Sequence, residues 1–286
     1  MARFLDSRTN IAIALVVLPI TAHAAGPGEP ATLAPHRAVY EITLDKARAG
    51  AGMSDLTGRM VYELTGSSCD GYTQTMRFVT RSISQEGEPS VNDLRSTTVE
   101  DTTAKTFKFN SSQYRDDQQT EVTAGDAVRP NSDQPIKVEV VKPKKLALTV
   151  GADALFPVQH SIKLLDAARA GKSIFSADLY DGSEKGEKVY ATTAVIGTRV
   201  APGKAAKTPD VKNSEKLENL AAWPVSLSYF DKKAERSDGT PSYELAFLFF
   251  ENGVSQRLFI DYGDFSIRGA LKDLTFLDAP ACEKKP

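Results

Sequence analysis

Apolar and polar residues alternate along most of this chain. In 36–45, HRAVYEITLD, one face carries Ala38, Tyr40, Ile42 and Leu44, and the other carries Arg37, Glu41 and Thr43. A period of two is the mark of a half-buried β-strand. Leu56, Met60, Tyr62 and Leu64 repeat the scheme, with Asp55, Thr57, Arg59 and Glu63 opposite. The segments 71–84, 91–101, 106–112 and 120–128 follow, rich in Thr, Val and aromatic residues and separated by turn formers. Strands are expected again over 173–180 and 188–200, flanking DGSEKG, and through WPVSLSYF, YELAFLFF and RLFIDYGDFSIRG. Asn252-Gly253 marks a tight hairpin turn. Tyr243 to Phe250 is apolar on both faces, which predicts a strand covered on both sides or one bordering a lined cavity.

One segment has a different period. Over 155–171, LFPVQHSIKLLDAARAG, Val158, Ile162 and Leu165 recur at helical spacing. Pro157 suits the first turn and Gly171 the C-terminal cap, so a helix is predicted over 158–170. His160 is read there as a surface or capping residue. The stretch 201–219, rich in Lys, Ala, Pro and Asn, has no period and reads as a long mobile loop. So many short strands in succession predict a mainly β protein: one antiparallel meander, barrel or curled sheet, with one helix packed on it. No fixed repeat and no convincing linker divides residues 25–286, so one domain is expected.

Residues 1–24 stand apart. Arg3 and Arg8 precede the apolar run 11–20, and Ala22-His23-Ala24 supplies small residues for processing. This predicts a Sec-type export signal cleaved after Ala24. Ten residues span about 15 Å as a helix against a hydrocarbon core of about 30 Å, which argues against a membrane anchor. No transmembrane segment is expected in the mature chain.

Export gives meaning to the two cysteines, Cys69 and Cys282. In an oxidising compartment they allow one intramolecular bond, read as a structural staple between the last strand region and the early hairpin that closes the sheet on itself. A redox or metal site is the alternative. No C-x-x-C is present, and a metal would need ligands beyond the few histidines.

A net charge of −2 over 286 residues excludes a basic nucleic-acid surface. No serine-nucleophile motif, zinc-ligand motif, phosphate loop or dinucleotide fingerprint occurs, so no catalytic residue, metal or cofactor is assigned. Asp178, Asp181, Glu184 and Glu187 lie near Gly182 and Gly186, off EF-hand spacing, and read as solvated carboxylates of a hairpin turn. Asp261 and Asp264 could serve as a pair of carboxylates, the basis of a less favoured reading as an envelope-polymer hydrolase. Trp223, Phe247, Phe249 and Phe259 belong to an aromatic-rich C-terminal third. The plain reading is an ordinary core, with Trp223 an anchor within it. The functional one is the lining of a concave sheet that takes an apolar ligand.

Taken in order, HRAVYEITLDKARAGAGMSDLTGRMVYEL, SSCDGYTQTMRF, LFPVQHSIKLLDAARAGK, WPVSLSYF and YELAFLFFENGVSQRLFIDYGDFSIRGAL resemble the EipB family of periplasmic cell-envelope integrity proteins. The likeness runs from Pro35 to Cys282 and rests on the order of the motifs. It implies a spiralling antiparallel sheet similar to the lipoprotein carriers LolA and LolB, and a disulfide at the places held by Cys69 and Cys282. It also implies a role in envelope integrity and stress resistance linked to a periplasmic tetratricopeptide-repeat protein, with no catalytic set to carry over. The 201–219 insertion departs from the family pattern. The resulting expectation is a non-enzymatic periplasmic protein that binds a lipid or lipoprotein in a curved sheet. The alternative is a scaffold working through protein contacts.

Overall fold

A computed structural model describes residues 30–205, 211–232 and 239–279. The export signal over 1–24, Cys282 and the middle of the 201–219 segment lie outside the described residues. Fourteen strands form one sheet. The first eight are β1 (His36–Ala47), β2 (Met53–Ser67), β3 (Gly71–Ser84), β4 (Pro89–Glu100), β5 (Thr106–Arg115), β6 (Gln118–Val128), β7 (Ile136–Lys142) and β8 (Leu146–Val150). After helix α1 (Pro157–Arg169) come β9 (Ile174–Leu179), β10 (Tyr190–Ile196), β11 (Ala222–Asp231), β12 (Tyr243–Phe250), β13 (Ser255–Asp261) and β14 (Phe265–Phe276).

The order across the sheet is 8-7-6-5-4-3-2-1-14-13-12-11-10-9. Two antiparallel meanders therefore meet in the middle, where β1 pairs with β14. The outer edges, β8 and β9, are joined in sequence by the segment that carries α1. Leu155, just before α1, bridges Leu179 of β9. Short hairpin connections explain why consecutive strands are neighbours.

The sheet curls so that both meanders face α1. The helix buries Val158, Leu164, Leu165, Ala167 and Ala168 in one cluster with Leu64 and Tyr72 from the first meander and Trp223, Leu227 and Phe249 from the second. Right-handed strand twist gives such curvature, and bulges add to it. One bulge lies between β12 and β13, where the pairing jumps from Ala246–Phe259 to Leu248–Gln256 and Arg257 takes a positive φ of 56°.

Two expectations are corrected by this topology. Phe276, at the end of β14, pairs with His36, which in turn pairs with Leu64 near the Cys69 turn. A bond from Cys69 to the chain beyond β14 would thus reinforce the middle of an open sheet, not close its edges on each other. The 201–219 segment is also partly built into the fold. Val211 and Leu217 are buried with Leu248, Phe250 and Leu274, and Lys212 bridges Asp273. Side chains alternate along β12, so this segment covers the face opposite Phe247 and Phe249. Apolar residues on both faces of β12 have two causes, a covering segment on one side and a cavity on the other.

Candidate functional site

Between α1 and the concave face of the sheet lies a cavity of about 520 Å³. That is the size of a small-ligand pocket. The first meander contributes Met60, Tyr62, Met76 and Phe78, and the second contributes Leu227, Leu245, Phe247 and Phe249. Helix α1 adds Leu164, His160 and Ser161. The alternation of β2, β3, β11 and β12 delivers these residues to one face. On β13 alternation alone fails. The bulge at Arg257 shifts the inward set, so Leu258 and Ile260 line the cavity. Phe259 turns outward instead, with the Arg268 guanidinium 5.5 Å from its ring centre.

Of the aromatic residues singled out in sequence, Phe247 and Phe249 line the cavity and Trp223 and Phe259 do not. Trp223 is buried among the α1 contacts and pairs across the ladder with Phe249. The bulge that expels Phe259 leaves no trace in the apolar pattern.

The cavity has a closed end and an open end. Along β12, Leu248, Phe249 and Phe250 are buried, whereas the residues from Phe247 back to Tyr243 are only half-buried. Next to Tyr243, Tyr262 is 38% exposed. The distance from Phe249 to Tyr243 is six residues, roughly 20 Å of strand.

Polar groups also line the wall, and several of them are satisfied within the fold. His36 is buried and its Nδ1 lies 2.7 Å from the Ala34 carbonyl. Gln74 Nε2 donates to the Tyr62 hydroxyl at 2.8 Å, and Tyr40 donates to the Ser255 carbonyl at 2.7 Å. His160 is buried, which corrects the expectation of a surface or capping residue. The Thr192 hydroxyl donates to the Ala177 carbonyl at 2.7 Å, so it accepts from His160 Nε2 at 2.9 Å. Burial holds the His160 imidazole down at about 4, and pushes the Tyr62 phenol up to about 12. His160 and Tyr62 are therefore neutral at neutral pH. Ser161 donates to the Pro157 carbonyl at 3.0 Å and is not held by a base.

Asp181 also lines the cavity and is half-buried, so it is not the solvated turn carboxylate expected from sequence. Of its neighbours, Glu184 is exposed as expected and pairs with Lys188, whereas Asp178 is half-buried and paired with Lys232. Nothing in a DGSEKG turn distinguishes the one carboxylate that the returning chain directs inward.

Asp261 and Asp264 do not converge on the cavity. Asp261 accepts from Gly263 N at 2.8 Å and lies 3.6 Å from Arg48, and Asp264 is exposed. They shape and anchor the turn between β13 and β14, so the two-carboxylate hydrolase reading is dropped. Among the described residues no group of three or more His, Cys, Asp or Glu is placed to hold a metal. No helix among them is long and apolar enough to cross a membrane. The described residues also contain no free cysteine thiol.

Comparison with known proteins adds a second line. The family model described as EipB-like matches residues 27–278. The cell envelope integrity protein EipB of Brucella abortus (strain 2308) is 39% identical over 257 residues, 90% of this chain and 89% of that protein. A crystal structure from Brucella abortus, a beta-barrel-like protein of the domain of unknown function DUF1849, aligns with a TM-score of 0.79 at 38% identity. It covers 87% of this chain and 100% of that one.

Proposed function

The chain belongs to the EipB-like family, and from that premise we propose that it maintains the cell envelope by holding an apolar chain in its cavity. The ligand class is a lipid or the acyl chain of a lipoprotein. The name of the Brucella relative supports the envelope role. The cavity carries the molecular reading: 520 Å³ between α1 and a wall of Leu, Met and Phe side chains, shut at Phe249 and open at Tyr243. Its length of roughly 20 Å accommodates one leaflet's worth of acyl chain, about 15 Å. Burying that chain yields about 25 cal/mol per Å² of apolar surface, with no catalysis required. On this reading residues 1–24 direct export, and the mature protein works in the periplasm with Cys69 and Cys282 joined.

The test is titration of the lipid-stripped protein with a fluorescent fatty acid. Saturable binding is expected, weakened by Leu245→Trp, which fills the open half. A linear, unsaturable response sinks the reading. The protein scaffold, with a tetratricopeptide-repeat partner, is favoured by one observation. Ile174 (60% exposed) and Val195 (56% exposed) are cross-strand partners at the β9 edge of the sheet. Crosslinking in the periplasm through that pair, with no partner protein recovered, counts against it.

A further inference from the structure

The open end of the cavity differs from its walls in chemistry. Tyr229 and Tyr243 stack with ring centres 4.2 Å apart, and Tyr190 meets both edge-on at 5.8 and 5.9 Å. Tyr262 adjoins Tyr243 at 6.4 Å. Asp181 lies against this group and lines the same cavity. Tyrosines favour places where an apolar body meets a wet, polar edge. Here Tyr229, Tyr243 and Tyr262 line the point where an inserted chain would end and its head begin, and the buried Tyr190 backs them.

Asp181 is the group that the fold leaves incomplete. Its Oδ1 accepts from Ser183 N at 2.9 Å, and among the described residues no cation pairs with it. The nearby cations are already matched: Lys188 with Asp231 at 3.2 Å and Glu184 at 3.8 Å, Lys232 with Asp178 at 2.5 Å. An enclosed carboxylate without a cation is unfavourable, because hydrogen bonds from Ser183 and from its own backbone replace the lost hydration only in part. Burial accordingly raises the Asp181 carboxyl above its ordinary range. Burial raises the phenols of Tyr229 and Tyr243, with the Asp181 charge next for Tyr229 and the neighbouring Tyr229, then Asp181, next for Tyr243, so both stay protonated and can donate.

We infer that the cavity selects a single-chain amphiphile with an ammonium-bearing head, the chain lying against Phe247 and Phe249 and the head seated between Asp181 and the tyrosines. The inference rests on the apolar-chain reading and adds the identity of the head. An ammonium supplies the cation that Asp181 lacks and can lie against the tyrosine faces. A carboxylate head in the same place meets like charge. An alcohol of equal length meets neither the gain nor the penalty.

Three chains of equal length separate these cases: dodecylamine, dodecanol and dodecanoate, each below its aggregation threshold. Each is titrated into lipid-stripped protein against a neutral fluorescent apolar probe. The expected order of affinity is amine, alcohol, carboxylate. The amine leads the carboxylate by about tenfold or more, the scale of one charge-assisted hydrogen bond. Asp181→Asn should erase that order. Three affinities within about twofold of each other, or a lead for dodecanoate, overturn the head assignment and leave the apolar cavity intact. An order that persists in Asp181→Asn removes Asp181 from the role. If none of the three displaces the probe, and the probe itself does not bind, the apolar-chain reading fails and this inference fails with it. The wild-type order decides the head assignment even where Asp181→Asn does not fold.

Discussion

Two aromatic regions of this molecule use the same kind of residue to opposite ends. At the outer part of the first meander, Phe107, Phe109, Phe156 and Tyr180 are buried against one another. Phe107 stacks on Phe156 at 4.9 Å and meets Tyr180 edge-on at 6.2 Å. The Tyr180 hydroxyl donates to the Gly186 carbonyl at 2.9 Å. Gly182 makes room for this packing, since a Cβ there would stand 2.3 Å from the Phe109 ring. Across α1, Tyr229, Tyr243 and Phe247 are only half-buried and enclose space. Aromatic content therefore does not tell a filled core from a lined cavity. What decides is the element opposite: a close-fitting, glycine-bearing turn in one region, and one helix spanning a wide curl in the other.

The largest expected effect tests this contrast directly. Phe107→Ala should cost about 3–5 kcal/mol, because a fully buried ring leaves a void that its neighbours cannot fill. Phe247→Ala borders existing space and should cost about half as much or less, while weakening the binding of an apolar probe. Urea unfolding and probe titration on both variants check this. Equal losses of stability, with probe binding untouched in both, would erase the distinction between the regions.

A second effect should spare neither region. The Cys69 turn lies beside the β1–β14 seam that joins the two meanders, so a bond to Cys282 would act on both. Cys69→Ser should lower stability by about 2–4 kcal/mol in a single transition. Unchanged melting on verified reduction of the wild type contradicts the staple. Splitting into two transitions would mean that the meanders unfold separately.

A smaller effect sits at the junction of the regions. Glu100, at the end of β4, accepts from Val158 N at 2.8 Å and Gln159 N at 3.0 Å. It thereby satisfies the first turn of α1, where the residue before the helix, Phe156, offers no side-chain cap. Glu100→Ala leaves buried donors unmet and should cost about 1–3 kcal/mol. Hydrogen exchange in the first turn of α1 should accelerate more than exchange in β5. Equal acceleration in both would show that Glu100 stabilises the molecule generally and not the helix start.

The sequence makes the architecture legible and the site only in part. Period-two patterning marks the strands, Asn252-Gly253 marks the β12–β13 turn, and Pro157 and Gly171 bracket α1. Gly253 takes a φ of 88° there, as such a turn requires. Three site features escape the pattern for physical reasons. The β13 bulge reverses the inward face, so Phe259 points away and Leu258 points in. His160 reads as a polar position on a helix, yet the Thr192 partner that permits its burial lies 32 residues away. Glu100 caps a helix start 58 residues downstream, beyond any local capping signal.

The two buried titratable groups on either side of α1 give the smallest and most discriminating effect. Glu100, on the filled side, is pushed up to about 7 by burial, with Asp101 adding to the rise and its two backbone hydrogen bonds opposing it. From the ordinary value of 4.5 up to 7 the folded state holds more protons on Glu100 than the unfolded state does, so this group lowers stability as pH rises. His160, on the cavity side, is held at about 4 against an ordinary 6.5. Between those values the unfolded state binds more protons, so this group lowers stability as pH falls. In their shared window, 4.5 to 6.5, the two slopes oppose each other. Each slope reaches about 1.4 kcal/mol per pH unit at most. Relative to wild type, Glu100→Gln should therefore gain stability toward pH 6.5, because only the histidine slope remains. His160→Gln, which retains a donor for Thr192, should gain stability toward pH 4.5, because only the carboxyl slope remains. Urea denaturation at several pH values reads both differences. Parallel stability–pH curves for wild type and both variants would mean that neither group is enclosed as the structure places it, and the contrast between a sealed side and a lined side of α1 would lose its electrostatic support.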